Sequence, residues 1–186
     1  LRGPQGTLQG RTSPGGAINV ITRKPSLSEA DGYIQLTAGD ADVLNGQVAW
    51  GGPVIEDVLA LRVAAVYDED DLGGVENATT GEDGNRDAVS ARFSGVWQAS
   101  DTFSANFFYQ YFDREYDNPA PLAGIDSLGE RPTLKPDDRT ALSRTDNPGD
   151  FQYDLYNLTL DWVINDSLEL TSITGYYETE KFHQEQ

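Results

Sequence analysis

The stretch LALRVAAVY at residues 59–67 alternates between two kinds of side chain with a period of two. Leu59, Leu61 and Val63 fall on one face, and Arg62 falls on the other face among small apolar residues. Successive side chains of a β-strand point to opposite sides, so this period predicts a strand and not a helix.

The same alternation recurs along the chain and predicts about seven strands, each 11 to 15 residues long. The predicted strands are 30–40, 42–54, 58–70, 87–99, 102–116, 151–164 and 168–182. Strands of soluble proteins have a mode of about 5–6 residues, whereas a membrane-spanning strand needs about 9–11. Strand length therefore favours a transmembrane barrel, although alternation alone also fits a soluble sandwich.

The connections between the predicted strands differ in length from one side to the other. Short turns are predicted near 55–57, 99–101 and 165–167, and the connection at 39–42 on the opposite side is also short. The other connections on that side are long, from 71 to 86 and from 117 to 150. Short turns on one rim and long loops on the other are typical of an outer-membrane barrel.

Aromatic residues gather near the ends of the predicted strands, as girdles at the two membrane interfaces would require. The main ones are Tyr67, Trp97, Tyr109, Tyr111, Phe112, Trp162, Tyr176 and Tyr177. The alternative explanation is that aromatic residues simply favour strands.

The composition excludes several classes of function. The chain has no cysteine and a single histidine, His183, so thiolate zinc sites, cysteine nucleophiles and two-histidine metal sites are not available. No nucleophile and base stand together in a catalytic pattern, so we predict no enzymatic activity and no cofactor. The net charge of −18 argues against nucleic acid as a partner, because phosphate binding needs clustered Lys and Arg.

The charge is distributed unevenly. The first 25 residues hold four of the 13 basic residues and none of the 31 acidic ones. This contrast predicts two units, one at 1–27 and one at 28–186. Because methionine is absent, we expect the chain to be an internal piece of a longer protein.

The first unit is rich in glycine and proline and reads RGPQGTLQGRTSPGGAINVITRKP at residues 2–25. It lacks both glycine motifs that bind phosphate, and no helical pattern follows it. The string resembles the end of the plug domain of TonB-dependent outer-membrane receptors, which precedes the first barrel strand in that family. Gln9 departs from the pattern, since many members carry an aromatic residue there. The segment Gly52-Pro53-Val54 followed by Leu59 also resembles the early barrel of the family.

The resemblance implies a fold and a function. The fold is all-β: part of an antiparallel transmembrane β-barrel, preceded by the C-terminal end of a plug domain. Such receptors have about 22 strands and a plugged lumen. They stand in the outer membrane of Gram-negative bacteria and import a scarce nutrient: a ferric siderophore, cobalamin, haem or an oligosaccharide. The implied partners are outer-membrane lipid, the nutrient and the TonB complex, which engages an N-terminal region absent here.

The resemblance also assigns roles to residues. Seven plug residues are expected to shape the plug and lead it to the barrel wall: Arg2, Gly3, Pro4, Gly10, Arg11, Gly15 and Gly16. Arg2 or Arg11 is hypothesised to pair with an inward carboxylate such as Asp161.

In barrels of this kind, substrate contacts are expected from the long loops and from inward residues near their bases. The candidates are therefore Tyr116, Asp117 and Asn118, where a strand meets the longest loop. An ordinary loop base is the competing interpretation of these three. The acidic run at 68–71 lacks the spacing of a calcium loop and predicts a solvated loop base instead.

Two other functions stay open at this point. A passive porin would share the barrel, but the plug-like segment speaks against it. A soluble β-sandwich that binds carbohydrate would share the alternation, and fractionation of the full-length protein into periplasm or medium would reveal it.

Overall fold

The computed structural model describes residues 22–40, 42–71, 76–77, 81, 84–117, 140–141 and 148–183. These residues form nine strands. They are β1 (Asp31–Ala38), β2 (Leu44–Ile55), β3 (Leu59–Asp70), β4 (Glu76–Asn77), β5 (Asn85–Ser100), β6 (Phe103–Asp117), β7 (Thr140–Ala141), β8 (Pro148–Asn165) and β9 (Leu168–His183). The described part of the chain has no helix that is long and apolar enough to cross a membrane.

Seven of these strands form one antiparallel sheet in the order β1-β2-β3-β5-β6-β8-β9. The short strands β4 and β7 pair with each other in parallel. The seven predicted strands are thus confirmed, with bounds that differ by no more than three residues. The all-β class is confirmed as well, because the seven long strands pair one after another along the chain as in an up-and-down barrel wall.

The three predicted short turns all lie on one rim of the sheet. Each turn follows a register shift in the preceding strand, between Pro53 and Ile55, between Gln98 and Ser100, and between Val163 and Asn165. A β-bulge bends its strand and increases the local twist. The three bulges therefore curve the same rim in all three hairpins. Asp57 takes a φ of 58° in the first turn, a conformation that Asp tolerates.

The strand register gives the sheet two different faces. One continuous row joins Trp50, Val63, Phe93, Tyr109, Tyr156 and Tyr176 across six strands. Most of these side chains are exposed, with Trp50 at 62% and Val63 at 52%. The adjacent row faces the opposite way and joins Gly51, Arg62, Ser94, Phe108, Asn157 and Gly175. An apolar face that stays uncovered fits lipid, and a polar face fits a lumen.

The segment before β1 lies against the polar face. The carbonyl of Leu27 accepts a hydrogen bond from the Asp57 amide at 3.1 Å, and Pro25 is buried. A small cavity lies between residues 22–25 and the wall at Ser94 and Asn106. This coverage identifies the polar face as the inner face. The division between plug and barrel at residues 27 and 28 stays a prediction.

The sheet has almost no conventional core. Within the strands that the structure describes, Ala49 and Ala60 are the apolar side chains that are buried. Large apolar side chains stay exposed instead, which a water-soluble sheet of this size would not tolerate.

Candidate functional site

The inner face of β5, β6, β8 and β9 carries cations and aromatic rings in the half of the sheet away from the short turns. We call this surface the basic–aromatic wall. Its members are Arg86, Arg92, Phe112, Arg114, Tyr116, Phe151, Tyr153, Tyr177 and Lys181.

The strand register places these side chains side by side. Arg114 pairs with Phe151, which pairs with Lys181, so two cations flank one ring. The next inner row joins Phe112 to Tyr153. Rings and cations that are far apart in the sequence therefore share one small patch of the wall.

Four rings of the wall form a continuous cluster. Phe112 and Tyr153 are stacked, with centroids 5.1 Å apart and an interplanar angle of 19°. Phe151 contacts both rings at 6.2 and 5.9 Å, and Tyr177 lies 5.6 Å from Tyr153. Aromatic pairs favour centroid separations of about 4.5–7 Å, so this cluster orders its members.

Three cations lie over aromatic rings. The Cζ atom of Arg114 is 5.1 Å from the Tyr116 centroid, and Nζ of Lys181 is 5.2 Å from the Phe151 centroid. Arg92 lies over Phe108 at 5.8 Å. No carboxylate of the described residues forms a salt bridge with these three cations. Their positive charge therefore stays available to a ligand in the lumen.

A hydrogen-bond relay connects one cation to the ring cluster. Nε and Nη2 of Arg92 both donate to Oε1 of Gln110. This fixes the amide orientation, so Nε2 of Gln110 donates to the Tyr153 hydroxyl at 2.7 Å. The Tyr153 oxygen accepts that bond, and its own proton is directed elsewhere.

Charges are sorted between the two faces of these strands. Eight carboxylates on β5, β6, β8 and β9 point outward: Asp87, Asp113, Glu115, Asp117, Asp150, Asp154, Glu178 and Glu180. Outward tyrosines bind several of them, as Tyr109 does to Asp154 at 2.6 Å. The inner face of the same strand halves carries cations and no carboxylate among the described residues.

Arg86 differs from the other cations of the wall. Its Nη2 atom lies 3.2 Å from Asp68 and 3.0 Å from Asp70. Two carboxylates of the acidic run at 68–71 are thus paired with a guanidinium. The described residues contain no acidic or histidine group arranged to hold a metal ion.

A second charged cluster lies nearer the rim with the short turns. Asp31 binds Arg62 at 2.8 Å and Arg23 at 3.2 Å. The Arg62 side chain is only 6% exposed, so the carboxylate of Asp31 is needed to stabilise its buried positive charge. This cluster ties the segment before β1 to the wall.

Only some of the site residues predicted from the sequence lie among the residues that the structure describes. Tyr116 belongs to the wall, with its ring over Gly149 of the next strand. Asp117 ends β6, and its amide donates to Asn85 at 3.2 Å. Asn118 lies outside the described residues, as do the seven plug residues Arg2, Gly3, Pro4, Gly10, Arg11, Gly15 and Gly16. The hypothesised pairing of Arg2 or Arg11 with Asp161 thus stays a prediction; Asp161 accepts a bond from Thr171 at 2.8 Å.

Two residues assigned to the membrane girdles face the other way. Phe112 shares its row with Ser90 and Tyr153, and Tyr177 shares its row with Leu155, so both rings point into the lumen. The spacing of neighbouring polar residues in the sequence already indicated the inward direction of Phe112. Phe112 stands two residues from both Gln110 and Arg114, which predicts the polar face for it.

Comparisons with known proteins agree with this geometry. The chain is 37% identical over 83 residues to pesticin receptors of Yersinia enterocolitica and Yersinia pestis, which covers 45% of the chain. Its fold matches the crystal structure of the ferric yersiniabactin uptake receptor FyuA from Yersinia pestis over 98% of the chain, with a TM-score of 0.79 and 23% identity. The chain spans 12% of the length of those curated relatives and 28% of that solved chain. No family model matches.

An antiparallel sheet with an apolar outer face and a charged inner face is the wall of an outer-membrane β-barrel. These matches agree with the resemblance of residues 2–25 to TonB-dependent outer-membrane receptors. Its relatives are receptors and not enzymes.

Proposed function

We propose that the receptor containing this chain imports a scarce small-molecule nutrient, a ferric siderophore in particular, with energy relayed by the TonB complex. The basic–aromatic wall carries this proposal, because it gives the lumen ordered rings and unneutralised cations. The names of the matched receptors support iron uptake as the direction. The plug at residues 1–27 would close the lumen, and TonB would bind upstream of it.

The test is an uptake measurement in cells that carry or lack the full-length gene. Under iron limitation, we expect cells with the gene to accumulate radioactive iron from a supplied siderophore and deletion cells to lose this uptake. Removal of TonB from cells that keep the receptor should abolish uptake equally. Uptake that persists without TonB would instead identify a passive porin-like barrel.

A second measurement addresses the soluble alternative. The full-length protein should fractionate with the outer membrane and migrate faster on gels when left unheated, as closed barrels do. Recovery in the periplasm or the medium would support a soluble carbohydrate-binding sandwich and contradict the proposal.

A further inference from the structure

The outer face of the sheet contains a groove between its large apolar side chains. The floor of the groove is formed by Ala65 and Ala91, which are register partners in β3 and β5. Val63 and Phe93 stand beside this floor in the neighbouring outward row, and the groove has a volume of about 370 Å³. Two small residues at one register position thus interrupt a surface that is otherwise made of bulky side chains.

We infer that this groove holds one acyl chain of a phospholipid whose headgroup carries an ammonium group, as phosphatidylethanolamine does. The lipid would lie on the outer face of the sheet, so its binding does not depend on which nutrient the lumen carries.

The lining of the groove suits an aliphatic chain. Trp50, Phe93 and Tyr109 present ring surface to it, and the lining as a whole is almost entirely apolar. The Tyr109 hydroxyl already donates to Asp154 at 2.6 Å, so it does not require a polar ligand. A chain that enters the groove gains dispersion contacts at its sides as well as beneath it, which a chain on a flat part of the wall does not.

Acidic side chains stand beyond the end of the groove that points away from the short turns. Glu69 and Asp87 are register partners, and each lies four residues from the alanine of its own strand, on the same outward face. At a rise of about 3.3 Å per residue, the two carboxylates lie roughly 13 Å beyond the groove floor. An acyl chain in the groove would therefore place its headgroup beside Glu69 and Asp87.

The charge at this position selects the headgroup. The register extends the pair into a row of four carboxylates, because Asp87 pairs with Glu115 and Glu115 pairs with Asp150. The basic residues of the seven long strands all point inward: Arg62, Arg86, Arg92, Arg114 and Lys181. A lipid ammonium group supplies the positive charge that these strands do not offer outward, whereas a headgroup with phosphate alone is repelled.

The test is lipid retention by the purified full-length receptor, measured by native mass spectrometry in detergent. The probes are phosphatidylethanolamine and phosphatidylglycerol with identical chains, in buffer with EDTA so that no divalent cation bridges phosphate to carboxylate. The parent receptor should retain phosphatidylethanolamine roughly two- to fivefold more than phosphatidylglycerol, the ratio that one exposed ion pair provides.

Substitutions that fill the groove test where the chain lies. Ala91→Leu should reduce retention of both lipids several-fold, because the added branch takes the space of the chain, and Ala65→Leu repeats the test from the neighbouring strand. The matched control Ala105→Leu adds the same atoms to the outer face of β6, outside the groove, and should retain lipid like the parent. Every variant is first checked for the gel mobility of a folded barrel.

A second pair of variants tests the headgroup. Glu69→Gln combined with Asp87→Asn removes the two charges and leaves the groove unchanged, so this double variant should retain the two lipids equally. Its control is Asp101→Asn in a short turn on the opposite rim, which should keep the preference of the parent.

Each outcome decides one part of the inference. Full retention in both groove-filling variants, or an equal loss in Ala105→Leu, would overturn the placement of the chain in the groove. Equal retention of the two lipids by the parent, or a preference that survives in the carboxylate double variant, would overturn the assignment of the headgroup. TonB-dependent uptake is measured separately, so the proposed function can stand or fail independently of these results.

Discussion

Gly149 shows how a single residue positions the wall. A Cβ atom placed there would lie 2.5 Å from the Tyr116 hydroxyl oxygen and 2.8 Å from Cε1. We expect Gly149→Ala to displace the Tyr116 ring, and with it Arg114, while the strand itself stays paired. Uptake of iron from the supplied siderophore should fall several-fold with little change in unfolding.

The comparison for this variant is Gly175→Ala on the same inner face, where the nearest atoms are 3.8 Å away or more. That substitution should take up iron like the parent. If both alanine variants retained full uptake, Tyr116 would have no part in positioning Arg114.

Asp31 is a residue whose loss should affect stability more than binding. Asp31→Asn leaves the Arg62 guanidinium, with its side chain 6% exposed, facing no carboxylate. Because Asp31 itself is partly exposed, we expect a loss of about 2 kcal/mol in the free energy of unfolding, measured in urea on the receptor in lipid vesicles. Arg23→Gln removes a partner whose side chain is 71% exposed and should cost under about 1 kcal/mol. A smaller loss from Asp31→Asn than from Arg23→Gln would show that Arg62 does not depend on Asp31.

The strand is the scale at which the two environments separate. Val63 and Val66 both lie in β3, but Val63 faces outward beside Trp50 and Val66 faces inward beside Gln47. Arginine on a lipid-facing position costs about 2–4 kcal/mol near the membrane centre. Val63→Arg should therefore lower the amount of folded receptor in the outer membrane far more than Val66→Arg does. Equal loss in the two variants would contradict the assignment of the faces.

At the scale of the molecule, the residues that the structure describes provide no second layer to cover the apolar face of the seven-stranded sheet. In the described structure, β1 and β9 each pair on one side only, and open edges promote association. The isolated chain should therefore associate in detergent-free buffer and show no cooperative unfolding as a monomer. Sedimentation combined with thermal unfolding measures this. A sharp transition of a monomeric species would mean that the chain is a complete soluble domain.

The sequence went furthest where the signal is local. Alternation and strand length predicted all seven long strands and the three short turns, because side-chain direction within a strand depends only on residue spacing. The resemblance of residues 2–25 predicted the family for the same reason, since a motif is read along the chain. The sequence did not predict most residues of the basic–aromatic wall, although it predicted Tyr116 as a substrate-contact candidate.

The sequence by itself therefore determined which side chains share a face within each strand. It also determined whether that face suits lipid or an aqueous lumen. Only the tertiary structure decided which strands lie side by side and in what register. That decision brings Arg92 to Gln110 and Gln110 to Tyr153, across 18 and 43 residues of sequence. The physical reason is that ladder hydrogen bonds join distant segments, and a slip of one residue would turn every side chain of a strand to the opposite face.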